Sequence, residues 1–345
     1  MHKLLNQLLI SSLLCIVLFS SCAKEVEESA DSVQKRIIEA YIKVNYGDIE
    51  PTKSGMYILH NKIGTGATLK DSTYPFVRYS EVTIEGDYIS STYDSIAVRF
   101  GSYSEDDYYG PRIWRLGDGT LSSGVEELLY SMKVGGQARG IIPPWLLDLE
   151  TGEEVSGGSG TIKIFDLELV GYEEDIFETQ RESLESFGDK HYGGVDSTGL
   201  GFYYKVLEPK EVKDSLKNDD NVSVYYVGRY LDGRIFDTNI ADTAKRHRIY
   251  EPSALSKYNA LSVKYMNDFQ KMLDEDDNTY VKGFTKLVSH MKYGERALGF
   301  FDSDWGYGAS GNINGNSGIP EYTPISFEIY IVDDREDEDK DDKKE

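Results

Sequence analysis

The chain has 345 residues, enough for more than one domain, and a formal net charge of −23. A phosphate backbone or an anionic lipid surface would repel this charge, so nucleic-acid binding and electrostatic adhesion to membranes are excluded as main functions. Only two cysteines occur, Cys15 and Cys22. Both lie near the N-terminus, so the rest of the chain must be stabilised by packed cores instead of disulfides.

The N-terminus is predicted to be a secretion signal. Its apolar stretch runs from Leu8 to Phe19, too short to span a membrane, and ends in Ser20-Ser21-Cys22. A cysteine directly after two small residues resembles a bacterial lipoprotein cleavage site. We therefore expect Cys22 to be lipidated and to anchor the protein in the cell envelope, with the outer membrane preferred. An ordinary signal peptide with an incidental cysteine is the alternative.

Helix–strand pairs are predicted at two places along the chain. Apolar residues at helical spacing between Ser32 and Asn45 predict a helix, and Ser54–Ile58 then has the character of a first strand. The same layout returns later, where Ile176–Phe187 predicts a helix and Thr198–Tyr204 a strand.

Two apolar stripes share both their spacing and their flanking residues. Each has apolar residues at i, i+3, i+4 and i+7, follows a glycine and precedes Lys-x-Gly: Val125, Leu128, Leu129 and Met132 in the first copy, and Phe284, Leu287, Val288 and Met291 in the second. Two such stripes indicate a duplicated module. Alternating strands, Thr161–Val170 and Pro324–Val332, close the copies. The pattern predicts an α+β fold in which a bent antiparallel sheet wraps a short helix in each copy.

A series of short motifs distinguishes the second copy. In chain order these are Tyr226-Val227-Gly228, Asp232-Gly233-Arg234-Ile235-Phe236-Asp237, Tyr280-Val281-Lys282-Gly283-Phe284 and Trp305-Gly306-Tyr307-Gly308. Together they resemble the FKBP-type peptidyl-prolyl cis-trans isomerases, over Val222 to Val332. The resemblance implies an apolar, aromatic-lined basin for a proline ring and proline-containing polypeptides as partners. It also implies that no metal, nucleophile or cofactor is needed.

The resemblance implies a role for eight residues of the second copy. The implied catalytic residues are Tyr226, Phe236, Asp237 and Tyr307, and the implied substrate-binding residues are Val281, Phe284, Ile319 and Phe327. Phe284 would form the floor, where tryptophan is commoner in the family. The Tyr307 hydroxyl and the backbone N–H of Ile319 would bind substrate carbonyls. Taken singly, Phe236, Val281 and Phe327 equally fit an ordinary core, and Asp237 fits a turn cap.

The first copy lacks parts of this set. Val77 and Tyr79 match Val224 and Tyr226, and the pair Tyr93-Asp94 is matched to Phe236-Asp237. Val125 stands at the floor, and no lid tyrosine follows. We expect this copy to have little or no isomerase activity.

The second copy also carries an insertion, residues 239–279. Its apolar residues fall on one face of a helix: Tyr258, Leu261, Tyr265, Met266, Phe269, Met272 and Leu273. A helix that packs on the barrel is therefore predicted, with a lid over the pocket as the alternative.

The expected organisation joins these parts. It comprises a lipoprotein signal peptide (1–21), an acidic tether and helix (22–53), a degenerate FKBP-like domain (54–172), a linker helix (173–197), an FKBP-type isomerase domain (198–332) and a disordered acidic tail (333–345). The expected function is isomerisation of X-Pro bonds in exported proteins. A non-catalytic chaperone or adaptor lipoprotein is one alternative. A surface glycan-binding lipoprotein, suggested by the 26 tyrosines and three tryptophans, is another.

Overall fold

A computed structural model describes residues 29–104, 107–147, 161–211, 215–312 and 318–333. The predicted signal peptide, Cys22 and nearly all of the predicted acidic tail lie outside these ranges. The chain divides into two compact units, residues 1–49 and 50–345. Among the described residues, no helix has the length and apolar character needed to cross a membrane.

The unit formed by residues 1–49 contains the first predicted helix, α1 (Ala30–Asn45). Ser29 caps its N-terminus, because the Ser29 hydroxyl accepts a hydrogen bond from the backbone N–H of Ser32 at 3.3 Å. The helix ends at Asn45, and the N–H of the C-cap residue Tyr46 still donates to Ile42 O at 2.8 Å.

The first copy of the repeat is built on an antiparallel sheet. In the part of the chain described, this sheet has six strands: β1 (Tyr57–Lys62), β2 (Tyr74–Thr83), β3 (Tyr88–Ser91), β4 (Arg112–Ile113), β5 (Gln137–Ile142) and β6 (Lys163–Glu173). The order is β1-β5-β6-β2-β3, and β4 also pairs with β2. Helices α2 (Asp94–Phe100) and α3 (Ser123–Tyr130) and a 3-10 turn (Pro144–Leu146) connect the strands.

A linker helix, α4 (Ile176–Tyr192), leads into the second copy. The second sheet has seven strands within the described ranges: β7 (Asp196–Gly199), β8 (Phe202–Glu208), β9 (Asn221–Tyr230), β10 (Ile235–Thr238), β11 (Leu261–Lys264), β12 (Arg296–Phe301) and β13 (Ile325–Ile331). Helices α5 (Ala241–Arg246) and α6 (Lys282–Val288) and two 3-10 turns (Leu255–Tyr258 and Phe269–Lys271) complete it.

The two sheets share one strand order. The second runs β10-β9-β13-β12-β8-β7, so its strands β8-β12-β13-β9-β10 repeat the order β1-β5-β6-β2-β3 of the first. The predicted α+β fold, with antiparallel sheets and short helices, is confirmed. Both copies belong to the unit formed by residues 50–345, and the finer domain boundaries stay a prediction.

The duplicated apolar stripe forms the centre of each copy. Val125, Leu128, Leu129 and Met132 are buried in the first copy, and Phe284, Leu287, Val288 and Met291 are buried in the second. Each fully buried aliphatic or aromatic side chain contributes about 1.5–3 kcal/mol to folding. These stripes therefore supply a large part of the cohesion between each short helix and its sheet.

The repeated Lys-x-Gly motif makes the same turn twice. Gly135 and Gly294 both have positive φ, +80° and +73°, which glycine adopts without strain. The N–H of Gly135 donates to Leu169 O at 2.8 Å, and that of Gly294 donates to Ile331 O at 2.9 Å. In both copies this bond ties the turn after the short helix to the last strand of the sheet.

The prediction of a helix in the insertion is wrong. Residues 261–264 form strand β11 instead, which pairs with β9 in a register that runs from Leu261 opposite Val224 to Lys264 opposite Asn221. The edge of β9 satisfies the hydrogen bonds of this segment, and tertiary pairing overrides its helical spacing. The insertion does pack on the second copy, because Val263 and Met272 are buried in its core.

A glycine precedes the floor position in both copies because the helix lies against its sheet there. A methyl group at Gly283 would overlap the ring of Phe301, and one at Gly124 would overlap Ile142. We expect Gly283→Ala to lower the free energy of unfolding by about 1–3 kcal/mol, as overpacking does in cores. Urea unfolding monitored by circular dichroism measures this.

Gly171→Ala is the matched control, because its new methyl group would meet Phe76 at an ordinary 3.4 Å. This variant should stay within about 0.5 kcal/mol of the wild type. Equal losses in the two variants would contradict the close-packing argument.

Candidate active site

The eight predicted site residues come from five segments of the second copy. Tyr226 lies on β9, Phe236 and Asp237 lie on β10, and Phe327 lies on β13. Val281 precedes helix α6 and Phe284 lies in its first turn, whereas Tyr307 and Ile319 lie in the segment between β12 and β13. The seven apolar and aromatic members belong to one hydrophobic cluster, with Tyr226, Val281 and Tyr307 half-buried at its margin.

Phe284 stands at the centre of the aromatic contacts. Its ring lies 5.3 Å from Phe327 and 5.8 Å from Tyr226, both edge to face, and Tyr280 stacks on it at 5.4 Å. Phe236 adds an edge-to-face contact with Phe327 at 5.7 Å. Such pairs add about 0.5–1.5 kcal/mol each beyond the burial of their area. The rings therefore form a rigid apolar wall.

An irregularity in β10 brings two consecutive residues to the same site. The register with β9 shifts between Ile235 and Asp237. A bulge of this kind re-aims side chains that would otherwise point to opposite faces. Consequently Phe236 reaches the aromatic cluster and Asp237 contacts Tyr226. Gly228 on β9 makes room for this, since a Cβ atom there would lie 2.5 Å from the ring of Phe236.

Asp237 is held by partners on both of its oxygens. The Tyr226 hydroxyl donates to Oδ2 at 2.7 Å, and Nζ of Lys257 lies 3.2 Å from Oδ1. Burial and the negative charge of Asp237 raise the pKa of Tyr226 well above its usual value, so the hydroxyl remains a donor.

Lys257 is the cation that balances this carboxylate. Its Nζ lies 2.6 Å from Oε1 of Glu251. Burial lowers the pKa of Lys257, but the hydrogen bonds to Glu251 and Asp237 outweigh burial and raise it overall. Lys257 is thus charged at neutral pH and fixes the Asp237 carboxylate.

The two residues after Asp237 hold the neighbouring backbone. The hydroxyl of Thr238 donates to Tyr226 O at 2.6 Å, and Oδ1 of Asn239 accepts from the N–H of Tyr226 at 2.8 Å. Asn239 also donates to Val224 O at 2.9 Å. Both side chains are buried, so these polar groups fix the position of Tyr226 between β10 and the insertion.

Tyr307 supplies a second protonated phenol at the margin of the cluster. Burial raises its pKa to about 12, and the charge of Asp237 adds to the shift, whereas a hydrogen bond with the Asn312 side chain opposes it. At neutral pH the hydroxyl can therefore donate to an acceptor such as a carbonyl.

Ile319 is placed differently from its predicted role. Its side chain is fully buried, and its N–H donates to Asn312 O at 3.3 Å. This hydrogen bond is long, at the weak end of the usual range. The N–H of Ile319 would have to leave Asn312 before it could bind a substrate carbonyl.

In the first copy, the match of Tyr93-Asp94 to Phe236-Asp237 is wrong. Ser91 corresponds to Thr238, because each pairs with the residue directly after its copy's tyrosine, Tyr79 or Tyr226. The Ser91 hydroxyl donates to Tyr79 O, as that of Thr238 does to Tyr226 O. Ile89-Ser90 is therefore the counterpart of Phe236-Asp237. Residue type suggested the earlier match, but the spacing from Tyr79 is too long for it.

The replaced residues leave the first copy without the same polar group. The Tyr93 hydroxyl donates to Glu168 at 2.6 Å, and Asp94 is exposed in the first turn of α2. Neither contributes a carboxylate next to Tyr79. The first copy thus has the same strand order as the second copy but lacks a counterpart of the Tyr226–Asp237 pair.

Three residues that the sequence analysis left without a role also belong to the site. Lys257 holds Asp237, Tyr280 stacks on Phe284, and the Tyr230 hydroxyl donates to Gly318 O at 3.2 Å. Tyr280 is the first residue of one quoted motif and Tyr230 lies between two others, which was the available signal. Lys257 carried none, because it lies in an insertion whose conformation depends on pairing with β9.

The arrangement suits an uncharged apolar ligand that carries carbonyl groups. Its wall is aromatic, its carboxylate is already paired, and its phenols are protonated donors. Within the described residues, no group of three or more histidine, cysteine, aspartate or glutamate side chains could hold a metal ion.

The chain is similar to known proteins both in sequence and in fold. The chain is 27% identical over 114 residues to the macrophage infectivity potentiator of Trypanosoma cruzi, a match that covers 33% of this chain and 43% of that protein. The resemblance to the FKBP-type isomerases is confirmed. The chain spans less than half the length of this relative. No protein-family model matches the chain.

Three solved structures are similar over larger parts of the chain. The three FKBP domains of wheat FKBP73 match 81% of this chain and 94% of theirs, with 19% identity and a TM-score of 0.28. FkpA from Escherichia coli matches 49% and 71%, with 21% identity and a TM-score of 0.32. A peptidyl-prolyl cis-trans isomerase from Pseudomonas syringae matches 45% and 93%, with 23% identity and a TM-score of 0.30.

A buried carboxylate begins the loop that carries Tyr307. Asp302 is 2% exposed, and its Oδ2 lies 3.7 Å from Nε of Arg181 on the linker helix. The N–H of Asp304 donates to Oδ1 at 3.1 Å. Burial raises the pKa of Asp302 to about 6, against the opposing effects of these hydrogen bonds and of Arg181.

This raised pKa makes the stability of the loop region depend on pH. Between about pH 4 and pH 6 the folded state binds more protons at Asp302 than the unfolded state does, so wild-type stability falls as pH rises through this range. Asp302→Asn removes this titration. The free energy of unfolding of D302N, relative to the wild type, should therefore increase from pH 4 to pH 7 and then level off.

Urea unfolding at pH 4, 5, 6 and 7 measures this difference. Asp189→Asn is the control, because Asp189 is an exposed aspartate on the linker helix α4, and its difference from the wild type should stay flat over the same range. A flat difference for D302N as well would contradict the raised pKa.

Proposed function

We propose that the second copy is a peptidyl-prolyl cis-trans isomerase that acts on X-Pro bonds of exported proteins. The observation that carries the proposal is the aromatic wall around Phe284, joined to the Tyr226–Asp237 hydrogen bond, on residues that resemble the pocket of the FKBP-type isomerases. The sequence relative supports the same family.

The physical task of such a site is modest. Rotation about an X-Pro bond is opposed by amide resonance, and the barrier is about 18–20 kcal/mol for a peptide bond. The planar amide is the more charge-separated form, so water stabilises it more than the twisted form. An apolar site that removes water from the imide lowers the barrier, and each ~1.4 kcal/mol gives about a tenfold increase in rate.

The residues of the second copy fit this task in separate roles. Phe284 and Phe327 would contact the proline ring and exclude water from it. The Tyr307 hydroxyl would donate to a substrate carbonyl and hold the twisted bond. Asp237, paired with Tyr226 and Lys257, would hold the polar wall of the site in one position.

Tyr307→Phe tests the role of this hydroxyl. The ring remains but the donor is lost, and one hydrogen bond contributes about 0.5–1.5 kcal/mol, so kcat/KM should fall by up to about tenfold. The assay follows cis-to-trans conversion of a short X-Pro peptide by the full chain. Tyr330→Phe is the control, because Tyr330 is an exposed tyrosine on β13, and it should leave kcat/KM unchanged.

A wild-type chain that does not accelerate the conversion would refute the enzymatic assignment. Suppression of aggregation of an unfolded client by the same inactive protein would then favour the non-catalytic chaperone. Equal losses in Tyr307→Phe and Tyr330→Phe would show instead that the Tyr307 hydroxyl has no specific role.

The proposed location follows from the N-terminal segment, which lies outside the described residues. A signal peptide that ends at Ser21, followed by a lipidated Cys22, would place the protein at the cell envelope, with the outer membrane preferred. Its substrates would then be exported polypeptides whose X-Pro bonds isomerise slowly without a catalyst.

Cys22→Ser tests the anchor. Without the thiol no acyl chains can be attached, and buried acyl chains contribute about 0.8 kcal/mol per CH₂ to membrane binding. The variant should leave the membrane fraction, and the intact mass of the protein should lose the acyl chains. Cys15→Ser, inside the predicted signal, should remain membrane-bound. An unacylated wild type would contradict lipidation.

A further inference from the structure

The loop before β13 is held by residues outside the second sheet. Arg112 on β4 of the first copy donates twice to Glu321, from Nε to Oε2 at 2.7 Å and from Nη2 to Oε1. The side chains are only 19% and 13% exposed. Glu321 follows Ile319 by two residues. This bidentate pair therefore holds the segment that contains Ile319, a predicted substrate-binding residue.

The next residue of the loop is held as well. The ring of Tyr322 meets Tyr74 of β2 edge to face at 5.1 Å. Its carbonyl accepts a hydrogen bond from Nε2 of Gln180 at 2.8 Å, and its N–H donates to Gly308 O at 2.9 Å. These contacts come from the first copy, the linker helix and the loop of Tyr307.

Gln180 connects the two loops of the candidate site. Its side chain is buried, and while Nε2 donates to Tyr322 O, its Oε1 accepts from the N–H of Ser303 at 2.8 Å. Ser303 is the second residue of the loop that carries Tyr307. The amide of Gln180 therefore fixes the spacing between the segments of Tyr307 and Ile319.

The Arg112–Glu321 pair is stronger than an ordinary surface ion pair. Burial lowers the pKa of Arg112, but the hydrogen bonds and charge of Glu321 outweigh burial and raise it. Bidentate pairs of this kind combine charge with a fixed geometry. Removing one partner would leave the other charge poorly solvated, so each single variant should disturb the loop.

The pair lies where the first copy has its counterpart of the candidate site. Tyr79, which corresponds to Tyr226, packs against Trp114 at 5.5 Å. Arg112 and Glu321 both affect its pKa, which burial raises above the usual value. In the first copy, the place that corresponds to the Tyr226–Asp237 pair thus faces the loop of the second copy that contains Glu321.

We infer that Arg112 is a positioning residue for the isomerase site of the second copy. By holding Glu321, it fixes the segment of Ile319 at the correct distance from Tyr307. The first copy would then serve the reaction through this contact and not through a pocket of its own. This inference rests on the proposed function.

A charge swap in the full chain tests it. Arg112→Glu and Glu321→Arg should each lower kcat/KM for an X-Pro peptide by about tenfold, mostly through KM, because the loop would bind substrate poorly. The double variant R112E/E321R restores an opposite-charge pair and should recover most of the loss.

A second ion pair of the first copy provides the matched control. Arg139 and Asp166 approach to 3.0 Å between β5 and β6 and contact no residue assigned to the site. Arg139→Glu, Asp166→Arg and their combination should leave kcat/KM within about twofold of the wild type. Equal losses in the two series would overturn the inference.

Hydrogen exchange separates positioning from general destabilisation. In R112E, residues 318–322 should exchange faster while helix α6 keeps its protection, and the double variant should restore slow exchange. Faster exchange throughout the second copy would overturn the positioning role. An inactive wild type overturns the proposed function itself. An active wild type with R112E at the same kcat/KM overturns only the role of Arg112.

Discussion

The short helix α6 lies so close to its sheet that only a glycine fits at position 283. This contact places Phe284 against Phe327 and Tyr226, and thereby creates the aromatic centre of the candidate site. The first copy obeys the same constraint through Gly124, with Val125 next to it. One packing solution thus serves both copies, and the residue after the glycine decides whether the centre is aromatic.

Polar groups distinguish the two copies more than the frame does. In the second copy a bulge in β10 presents Asp237 to Tyr226, and Lys257 from the insertion neutralises the carboxylate. Because buried polar groups are costly unless they are paired, this network holds its members in one geometry. The first copy has Ile89 and Ser90 at the corresponding places, and Arg112 on its strand β4 pairs with Glu321 of the other copy. The duplicated fold therefore combines a site with a support for that site.

Much of the fold and of the site could be predicted because the signals are local. The stripe of Phe284, Leu287 and Val288 has helical spacing, and the order of the aromatic motifs is preserved along the chain. Two predictions failed for one reason. The insertion forms β11 because the edge of β9 was available to it. Tyr93 was matched by residue type, although strand pairing aligns Ser91 with Thr238. Pairing between strands that are distant along the chain cannot be predicted from the local pattern of residues.

The sequence by itself determined the duplication, the α+β class and the set of aromatic residues. Periodicity and motif order can be recognised from residues that are close together along the chain. Only the tertiary structure decided that Ile319 is buried with its N–H on Asn312, that Lys257 faces Asp237, and that Arg112 reaches Glu321. Each of these contacts joins residues brought together by the packing of whole elements. Their partners depend on distances in space, which spacing along the chain does not encode.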